Sequence, residues 1–211
     1  MSVNPGDLYA RALTGGTPLR ARGSDGSLRH LPLDTWLGAA SGADERLLAR
    51  AQGPVLDVGC GPGRHVHALA VRGVLAVGVD VSPEALHLAR ERGATVLEAS
   101  IFDRIPGAGE WRTALLLDGN IGIGGSPGAL LRRIATLLSP EGRVLLEIDP
   151  PGVGLDIVRL RLEDEHRHSH WFDWARVGAE AIAGPAAEAG LRVHESWEDE
   201  GRWFASLEPA R

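Results

Sequence analysis

The sequence predicts an α/β fold in which helices cover both faces of a mainly parallel sheet. Between residues 55 and 148, five short apolar runs with strand character alternate with segments of helical pattern. This alternation is typical of a parallel sheet, because parallel neighbours need a long crossover connection. Two further strand-like runs, 191–197 and 202–207, are separated by only four residues. Such a short connection permits only an antiparallel pair, so the sheet is expected to end in a hairpin.

The composition indicates one domain and disfavours several classes of partner. At 211 residues the chain is long enough for one substantial core. Its formal net charge is −6 and it contains no lysine, so nucleic acid and anionic membranes are poor partners. The single cysteine, Cys60, favours the cytoplasm. The opening residues lack the pattern of a signal peptide and no apolar run is long enough to span a membrane, so neither segment is expected; the oligomeric state stays open.

Residues 1–52 are predicted to form an N-terminal helical extension, and the core is predicted to span 53–211. Helical patterns flank a stretch of the extension that is rich in glycine and therefore irregular. Two roles stay open for this extension: packing against the sheet edge, or closing over a substrate as a lid. As a lid it would place Tyr9 and Trp36 beside the substrate.

The first core strand runs into a glycine-rich turn. Gly59, Gly61 and Gly63 lack a Cβ atom, so the backbone can turn sharply and lie against a ligand. The second strand ends at Asp80, where a carboxylate can bind ribose hydroxyls. A dinucleotide site of this kind needs a third glycine at the position that Arg64 occupies. The spacing therefore favours a nucleoside ligand without a pyrophosphate.

The later elements follow from similar signals. Ser82-Pro83 and Ser126-Pro127 each combine a helix cap with a proline suited to the first turn, so a helix is expected after each pair. The remaining core strands are predicted at 95–99, 113–117 and 143–148. A loop over 150–176 and a helix over 175–189 are expected to precede the terminal hairpin.

Two motifs resemble a known family. The runs LDVGCGPGRH, from Leu56, and VGVDVS, from Val77, resemble motifs I and II of the class I S-adenosylmethionine-dependent methyltransferases. The resemblance implies a three-layer Rossmann-like fold, with seven strands in the order 3-2-1-4-5-7-6 and the last strand antiparallel. It also implies S-adenosylmethionine as cofactor, S-adenosylhomocysteine as its product, and methyl transfer to an oxygen, nitrogen or carbon atom of a small molecule. Two alternatives stay open: an NAD(P)-dependent oxidoreductase, and a non-catalytic module that binds S-adenosylmethionine.

The resemblance also implies which residues hold the cofactor. The glycine turn would lie against the methionine part, and Asp80 would bind both ribose hydroxyls. The expected cofactor residues are Asp57, Gly59, Cys60, Gly61, Gly63, Asp80, Val81, Ser100, Ile101, Asp118, Gly119 and Asn120. From the residues alone, Asp57 can equally support the glycine turn without touching a ligand, and Asp118 can close an Asx turn. Cys60 is expected to pack rather than to act as a nucleophile.

The substrate side is predicted to come from the link 150–176. Trp171 and Trp174, in this link, are expected to line the substrate together with Tyr9 and Trp36. Equally, the tryptophans of the link can anchor it on the core.

The candidates for a catalytic base are His168, His170 and Glu147. The two histidines lie in the same link, and Glu147 lies near the carboxyl end of the fifth strand. His166, His168 and His170 recur at every second residue, but no cysteine or regularly spaced acid accompanies them. No metal site is therefore expected.

Overall fold

The computed structural model describes residues 2–210, which form two sheets and the helices around them. The strands are β1 (Ser2–Val3), β2 (Arg20–Gly23), β3 (Leu28–His30), β4 (Val55–Val58), β5 (Ala76–Asp80), β6 (Val96–Glu98), β7 (Trp111–Leu116), β8 (Leu138–Ile148), β9 (Leu155–Glu163), β10 (His168–Ser169), β11 (Phe172–Val177), β12 (Leu191–Asp199) and β13 (Arg202–Pro209). The helices are α1 (Pro5–Gly15), α2 (Leu33–Leu37), α3 (Gly42–Leu48), α4 (Arg64–Val71), α5 (Pro83–Glu91), α6 (Pro127–Ala135) and α7 (Ala183–Glu188). Short 3-10 turns span Asn120–Gly125.

The main sheet confirms the predicted fold class and strand order. Its seven strands lie in the order β12-β13-β8-β7-β4-β5-β6, which is 6-7-5-4-1-2-3 when the strands are numbered within this sheet. The strands from β4 to β8 are parallel to their neighbours, and β13 is antiparallel to both β8 and β12. The predicted terminal hairpin is therefore present and fills the far edge of the sheet.

The centre of the main sheet is buried on both faces. All four residues of β4 are buried, as expected for a strand covered by helices on each side. The helix α5 begins as predicted, because Ser82 Oγ accepts a hydrogen bond from the Ala85 amide at 3.3 Å and Pro83 occupies the first turn. The Ser126 side chain makes no such cap, although α6 begins at Pro127.

A second sheet, here called the roof sheet, was not predicted. Its strands lie in the order β1-β10-β9-β2-β3, and β11 also pairs with β9. The prediction of a loop over 150–176 is therefore wrong, since β9, β10 and β11 occupy most of this segment. The N-terminal extension is likewise not only helical, because it supplies β1, β2 and β3. The roof sheet thus joins two segments that lie far apart in the sequence.

Alternation along β9 and β11 explains the roof sheet. Val158, Leu160 and Leu162 lie on one side of β9, separated by arginines at 159 and 161 that favour the solvent side. The strand β11 pairs with β9 over six residues, from Phe172 to Val177. The helix predicted over 175–189 therefore starts later, at α7, because its first residues are taken by β11. Within residues 2–210, no helix is long and apolar enough to cross a membrane.

Candidate active site

A cavity of about 940 Å³ lies between the carboxyl edge of the main sheet and the roof sheet. In open α/β sheets, ligands bind at this edge, where the strand order reverses. Here the reversal falls between β4 and β7, because the chain adds β5 and β6 on one side of β4 and returns to the other side with β7. The cavity wall includes the glycine turn, Asp80 and the loop after β7.

The glycine turn adopts backbone conformations that favour glycine. The φ angles of Gly59 and Gly61 are +72° and +50°, in the left-handed region. A Cβ atom on Gly59 would lie 2.7 Å from Asn120 Nδ2, which donates to the carbonyl oxygens of Val58 and Gly59 at 2.9 Å each. The loop after β7 is thereby held directly against the glycine turn.

Asp80 lies beside this turn at the end of β5. Its Oδ2 accepts a hydrogen bond from the Gly61 amide at 2.9 Å, and its Oδ1 accepts one from the Ser82 amide at 2.9 Å. Each carboxylate oxygen keeps a lone pair, so both can still accept from a diol. Burial raises the pKa of Asp80, and the amides of Ser82 and Gly61 partly offset this effect.

Tyr9 reaches the glycine turn from α1. Its Oη lies 2.9 Å from the position that a Cβ atom on Gly61 would take. The ring of Tyr9 packs edge-on against that of Trp36, with 6.0 Å between the centroids and an interplanar angle of 74°. Burial, and next the charge of Asp80, raise the pKa of Tyr9 far above its usual range, so the phenol is neutral.

Five charged residues form a closed hydrogen-bonded ring under the cavity, here called the carboxylate–arginine ring. Arg64 donates to Asp44 through Nη1 and to both oxygens of Asp118 through Nη2, at 2.7 and 2.8 Å. Arg202 donates to both oxygens of Glu147, at 2.9 and 2.7 Å, and to Asp44 at 2.7 Å. Glu147 Oε2 closes the ring by accepting from the Asp118 amide at 2.8 Å.

The ring fixes two carboxylates at the carboxyl edge of the main sheet: Asp118, two residues after β7, and Glu147, near the end of β8. Asp118 has a φ of +56°, a conformation that costs energy in a residue other than glycine and needs support. Asp44 is fully buried and lies in the first turn of α3, so it links both arginines to this helix. A capping box between Asp44 and Ser41 holds that first turn in place. Burial alone would raise the pKa of Asp44, but His65, Arg202 and the Ser41 amide hold it well below its usual range.

His65 lies between two buried carboxylates next to the ring. Its Nε2 is 3.5 Å from Asp44 Oδ1, and its Nδ1 is 3.7 Å from Asp57 Oδ2. Burial lowers the pKa of His65, but Asp44 and Asp57 outweigh it and raise the pKa to about 9. A protonated imidazole therefore sits among these carboxylates, where its charge balances part of theirs.

Most of the predicted site residues line the cavity. These residues are Tyr9, Trp36, Gly59, Cys60, Gly61, Asp80, Val81, Ser100, Ile101, Asp118, Gly119, Asn120, Glu147 and Trp174. Cys60 also packs against Gly78, where a Cβ atom would lie 2.5 Å from its Sγ, and burial raises the pKa of its thiol.

Five predicted residues lie outside the cavity wall. Gly63 faces α5 instead, because a Cβ atom there would lie 2.7 Å from the Cβ of Ala89. Asp57 is only 1% exposed and contacts His65. Trp171 stacks under Arg161, with 5.0 Å between the guanidinium carbon and the ring centroid. The last two are His168 and His170, in or next to the short strand β10, which lies between β1 and β9.

Several residues of the site were missed from the sequence. Arg64 was noted only as a missing glycine, and Asp44, Arg202 and Arg176 were not singled out as site residues, whereas Asp149 had been expected on the substrate side with Glu147. Each lies in a segment whose neighbours in space are remote in the chain, so no local spacing signals them. No group of three histidine, cysteine or acidic side chains that could hold a metal ion occurs among the described residues.

The crevice beside Asp80 fits an adenosine ligand. Bare glycine backbone gives close approach, and both Asp80 oxygens can accept from ribose hydroxyls. Val81 and Ile101 line the same part of the cavity and offer apolar contact to a flat base. The crevice is continuous with the space under the roof sheet, so a ligand in it can face a second molecule.

Comparison with known proteins agrees with this geometry. Residues 55–142 match a family model described as "Methyltransferase domain". The chain is 34% identical over 110 residues to trans-aconitate 2-methyltransferase from Paracidovorax citrulli (strain AAC00-1), a match that covers 48% of this chain. That match spans only 42% of the length of the curated relative.

Solved structures show the same fold. A S-adenosylmethionine-dependent methyltransferase from Bacteroides fragilis, in complex with S-adenosylhomocysteine, superimposes with a TM-score of 0.82 at 24% identity, over 99% of this chain and 95% of that one. The 1,6-didemethyltoxoflavin-N1-methyltransferase from Burkholderia thailandensis gives a TM-score of 0.67 at 17% identity, over 98% and 87%. Residues 55–142 therefore resemble the methyltransferase-domain family, and the chain shares the fold of the Bacteroides fragilis enzyme over nearly its whole length.

Proposed function

We propose that this chain is a S-adenosylmethionine-dependent methyltransferase that moves a methyl group to an oxygen, nitrogen or carbon atom of a small molecule. The observation that carries the proposal is the Asp80 carboxylate held against the glycine turn, with both oxygens able to accept further hydrogen bonds. The family match over residues 55–142 supports it. The relative that acts on trans-aconitate, by its name, also has a small-molecule substrate.

The cofactor, when bound, would supply an electrophilic methyl group. In this proposal Asp80 binds the ribose, the backbone of Gly59 and Gly61 contacts the methionine part, and Val81 and Ile101 enclose the adenine. Asn120 keeps the loop after β7 pressed on the turn through its two hydrogen bonds to β4 and the turn.

The chain's own contribution to the chemistry is alignment and exclusion of water. Methyl transfer needs the acceptor atom, the methyl carbon and the sulfur in one line, and a cavity walled by two sheets favours such an arrangement. We assign Tyr9, Trp36 and Trp174 to the substrate wall, because all three line the cavity. Trp171 is not assigned there, because it lies outside this wall.

The candidate bases are poorly placed for proton transfer. Both oxygens of Glu147 are occupied by Arg202 and the Asp118 amide. His170 is hydrogen-bonded to Ser2 at 3.0 Å and, like His168, lies outside the cavity wall. The proposal therefore favours an acceptor that needs no protein base. A cytoplasmic location and the exclusion of nucleic acid as substrate also stay proposals, supported by the lone Cys60 and the net charge of −6.

Isothermal titration calorimetry with S-adenosylhomocysteine tests the proposal. We expect the wild type to bind and Asp80→Asn to bind about 10–100-fold more weakly, because the variant loses the charge and one of two acceptors. Glu98→Gln is a matched control, since Glu98 is exposed, pairs with Asp80 in register on β6, and lies outside the cavity wall. The proposal is refuted if the wild type does not bind, or if the Asp80 variant binds as tightly as the control.

Two further measurements separate the alternatives. An oxidoreductase would quench or enhance the fluorescence of NADH or NADPH on titration, and we expect no binding of either. A non-catalytic module would bind S-adenosylmethionine but leave every member of a small-molecule panel unlabelled when the methyl group carries ¹⁴C. We expect label on at least one compound.

A further inference from the structure

The inner face of the roof sheet is apolar in its middle. Val158 and Leu160 on β9 lie opposite Trp174 and Phe172 on β11, and all four line the cavity. The rings of Phe172 and Trp174 pack edge to face, with 6.2 Å between centroids and an interplanar angle of 85°. This surface suits a flat apolar body, such as an aromatic ring.

One register step beyond Trp174, the same face carries Arg176. Its Nη2 donates to Asp149 Oδ1 at 2.5 Å, and Asp149 directly follows β8. Its Nε is buried and has no acceptor within residues 2–210. A guanidinium has five N–H donors. Within the described residues, the Arg176 guanidinium makes a single hydrogen bond, the one to Asp149. Arg176 therefore has donor capacity at the cavity wall that the protein leaves unused.

The other arginines of the wall differ from Arg176. Arg64 and Arg202 are each engaged by two carboxylates of the carboxylate–arginine ring. Arg29 pairs with Ala21, and Ala21 pairs with Leu162 on β9. Arg176 pairs with Asp156, which lies six residues before Leu162 on the same strand. At about 3.3 Å a residue this is a separation of about 20 Å. Arg176 is thus the cation placed beside both the apolar face and the carboxyl end of β8.

We propose that Arg176 determines substrate specificity, and that the substrate is a small aromatic or other flat apolar molecule carrying a carboxylate. The ring would lie under Val158, Phe172 and Trp174, and the carboxylate would bind the free N–H groups of Arg176. Guanidinium and carboxylate match in charge and geometry, and Asp149 holds the guanidinium in place. This inference rests on the proposed function, because the molecule is taken to be the methyl acceptor.

Asp156 makes the inference sharper. It lies opposite Arg176 in register, lines the cavity and is exposed. Its negative charge opposes an incoming carboxylate but favours an incoming amine. Removing the Asp156 charge and removing the Arg176 charge are therefore expected to change carboxylate affinity in opposite directions.

The test is calorimetry on the full chain saturated with S-adenosylhomocysteine, with probe pairs of equal ring and opposite charge. The probes are indole-3-acetate against tryptamine, and phenylacetate against phenethylamine. We expect at least one carboxylate to bind more tightly than its amine. Arg176→Gln should weaken it about tenfold or more, Arg176→Lys less, and Asp156→Asn should strengthen it. Arg159→Gln is the control, because Arg159 is 63% exposed and lies outside the cavity wall.

Each result has a definite meaning. Tighter binding of the amines, no binding of any probe in the millimolar range, or equal affinity in Arg176→Gln and Arg159→Gln would overturn the inference. Arg176→Lys covers the case in which the glutamine variant fails to fold, since it keeps the charge near Asp149 and still loses the fork of N–H groups. If S-adenosylhomocysteine itself does not bind, the proposed function falls. If it binds and the probes behave otherwise than expected, only the present inference falls.

Discussion

Asp44→Asn is expected to lower the free energy of unfolding by about 3–5 kcal/mol, because it removes one partner from a buried ion cluster. Asp44 is fully buried and touches Arg64, Arg202 and His65. With an amide in its place, three cations remain close together and lose the carboxylate that compensates them. Equilibrium unfolding in urea, followed by tryptophan fluorescence, measures the change.

Asp34→Asn is the matched control for Asp44→Asn. Asp34 is an exposed aspartate in α2, on the same N-terminal segment, and its replacement should change the free energy of unfolding by less than about 0.5 kcal/mol. A loss below about 1 kcal/mol in Asp44→Asn would contradict the prediction, because it would show that the carboxylate–arginine ring is easily rearranged. The ring would then be unable to hold Asp118 and Glu147 in fixed positions.

The raised pKa of His65, about 9 in the folded protein against 6.5 as its ordinary value, predicts a pH-dependent stability. The folded state binds the proton more tightly, so this contribution is fully present below pH 6.5 and is lost as the pH rises through 9. Its full size is about 3 kcal/mol, of which roughly half is lost between pH 6.5 and 8. Urea unfolding at several pH values in this window measures how the free energy of unfolding changes with pH. The window lies below the ordinary pKa of a cysteine thiol, so ionisation of Cys60 in the unfolded chain contributes little.

Variants of two neighbouring histidines isolate this effect. His65→Gln should be less stable at pH 6.5 and should have a nearly flat pH dependence, because glutamine does not titrate. His67→Gln should keep the wild-type slope, since His67 is exposed on the same helix, α4. Equal slopes for the wild type and His65→Gln would show that the proton is not bound between Asp44 and Asp57.

Local signals in the sequence were sufficient for the main sheet. The glycine turn, the acid that ends β5 and the four-residue connection of the terminal hairpin are each readable within a few residues. Together with the family resemblance they predicted the strand order, which is confirmed. Most of the predicted cofactor residues lie together at the cavity wall, because the carboxyl ends of parallel strands meet at one edge of the sheet.

The roof sheet could not be read in this way. Its central strand β9 pairs with β2, which lies more than 130 residues earlier in the chain, and with β11. The histidines, acids and tryptophans around β10 suggested a solvated loop. In the structure, β9 and β10 are strands because they pair with β2 and β1 of the N-terminal segment. The carboxylate–arginine ring was missed for the same reason: Asp44 and Arg202 are 158 positions apart.

The composite origin of the roof sheet also bears on how this protein can be shortened and how it can evolve. A chain cut before residue 31 would leave β9 with a bare backbone edge beside an apolar face, which is the combination that promotes aggregation. Expression of the 53–211 segment alone should therefore yield insoluble material even though its seven-stranded sheet is complete. The cavity wall is likewise encoded in two distant stretches of the gene, one for β2 and β3 and the other for β9 and β11, so substitutions in either stretch can change substrate preference.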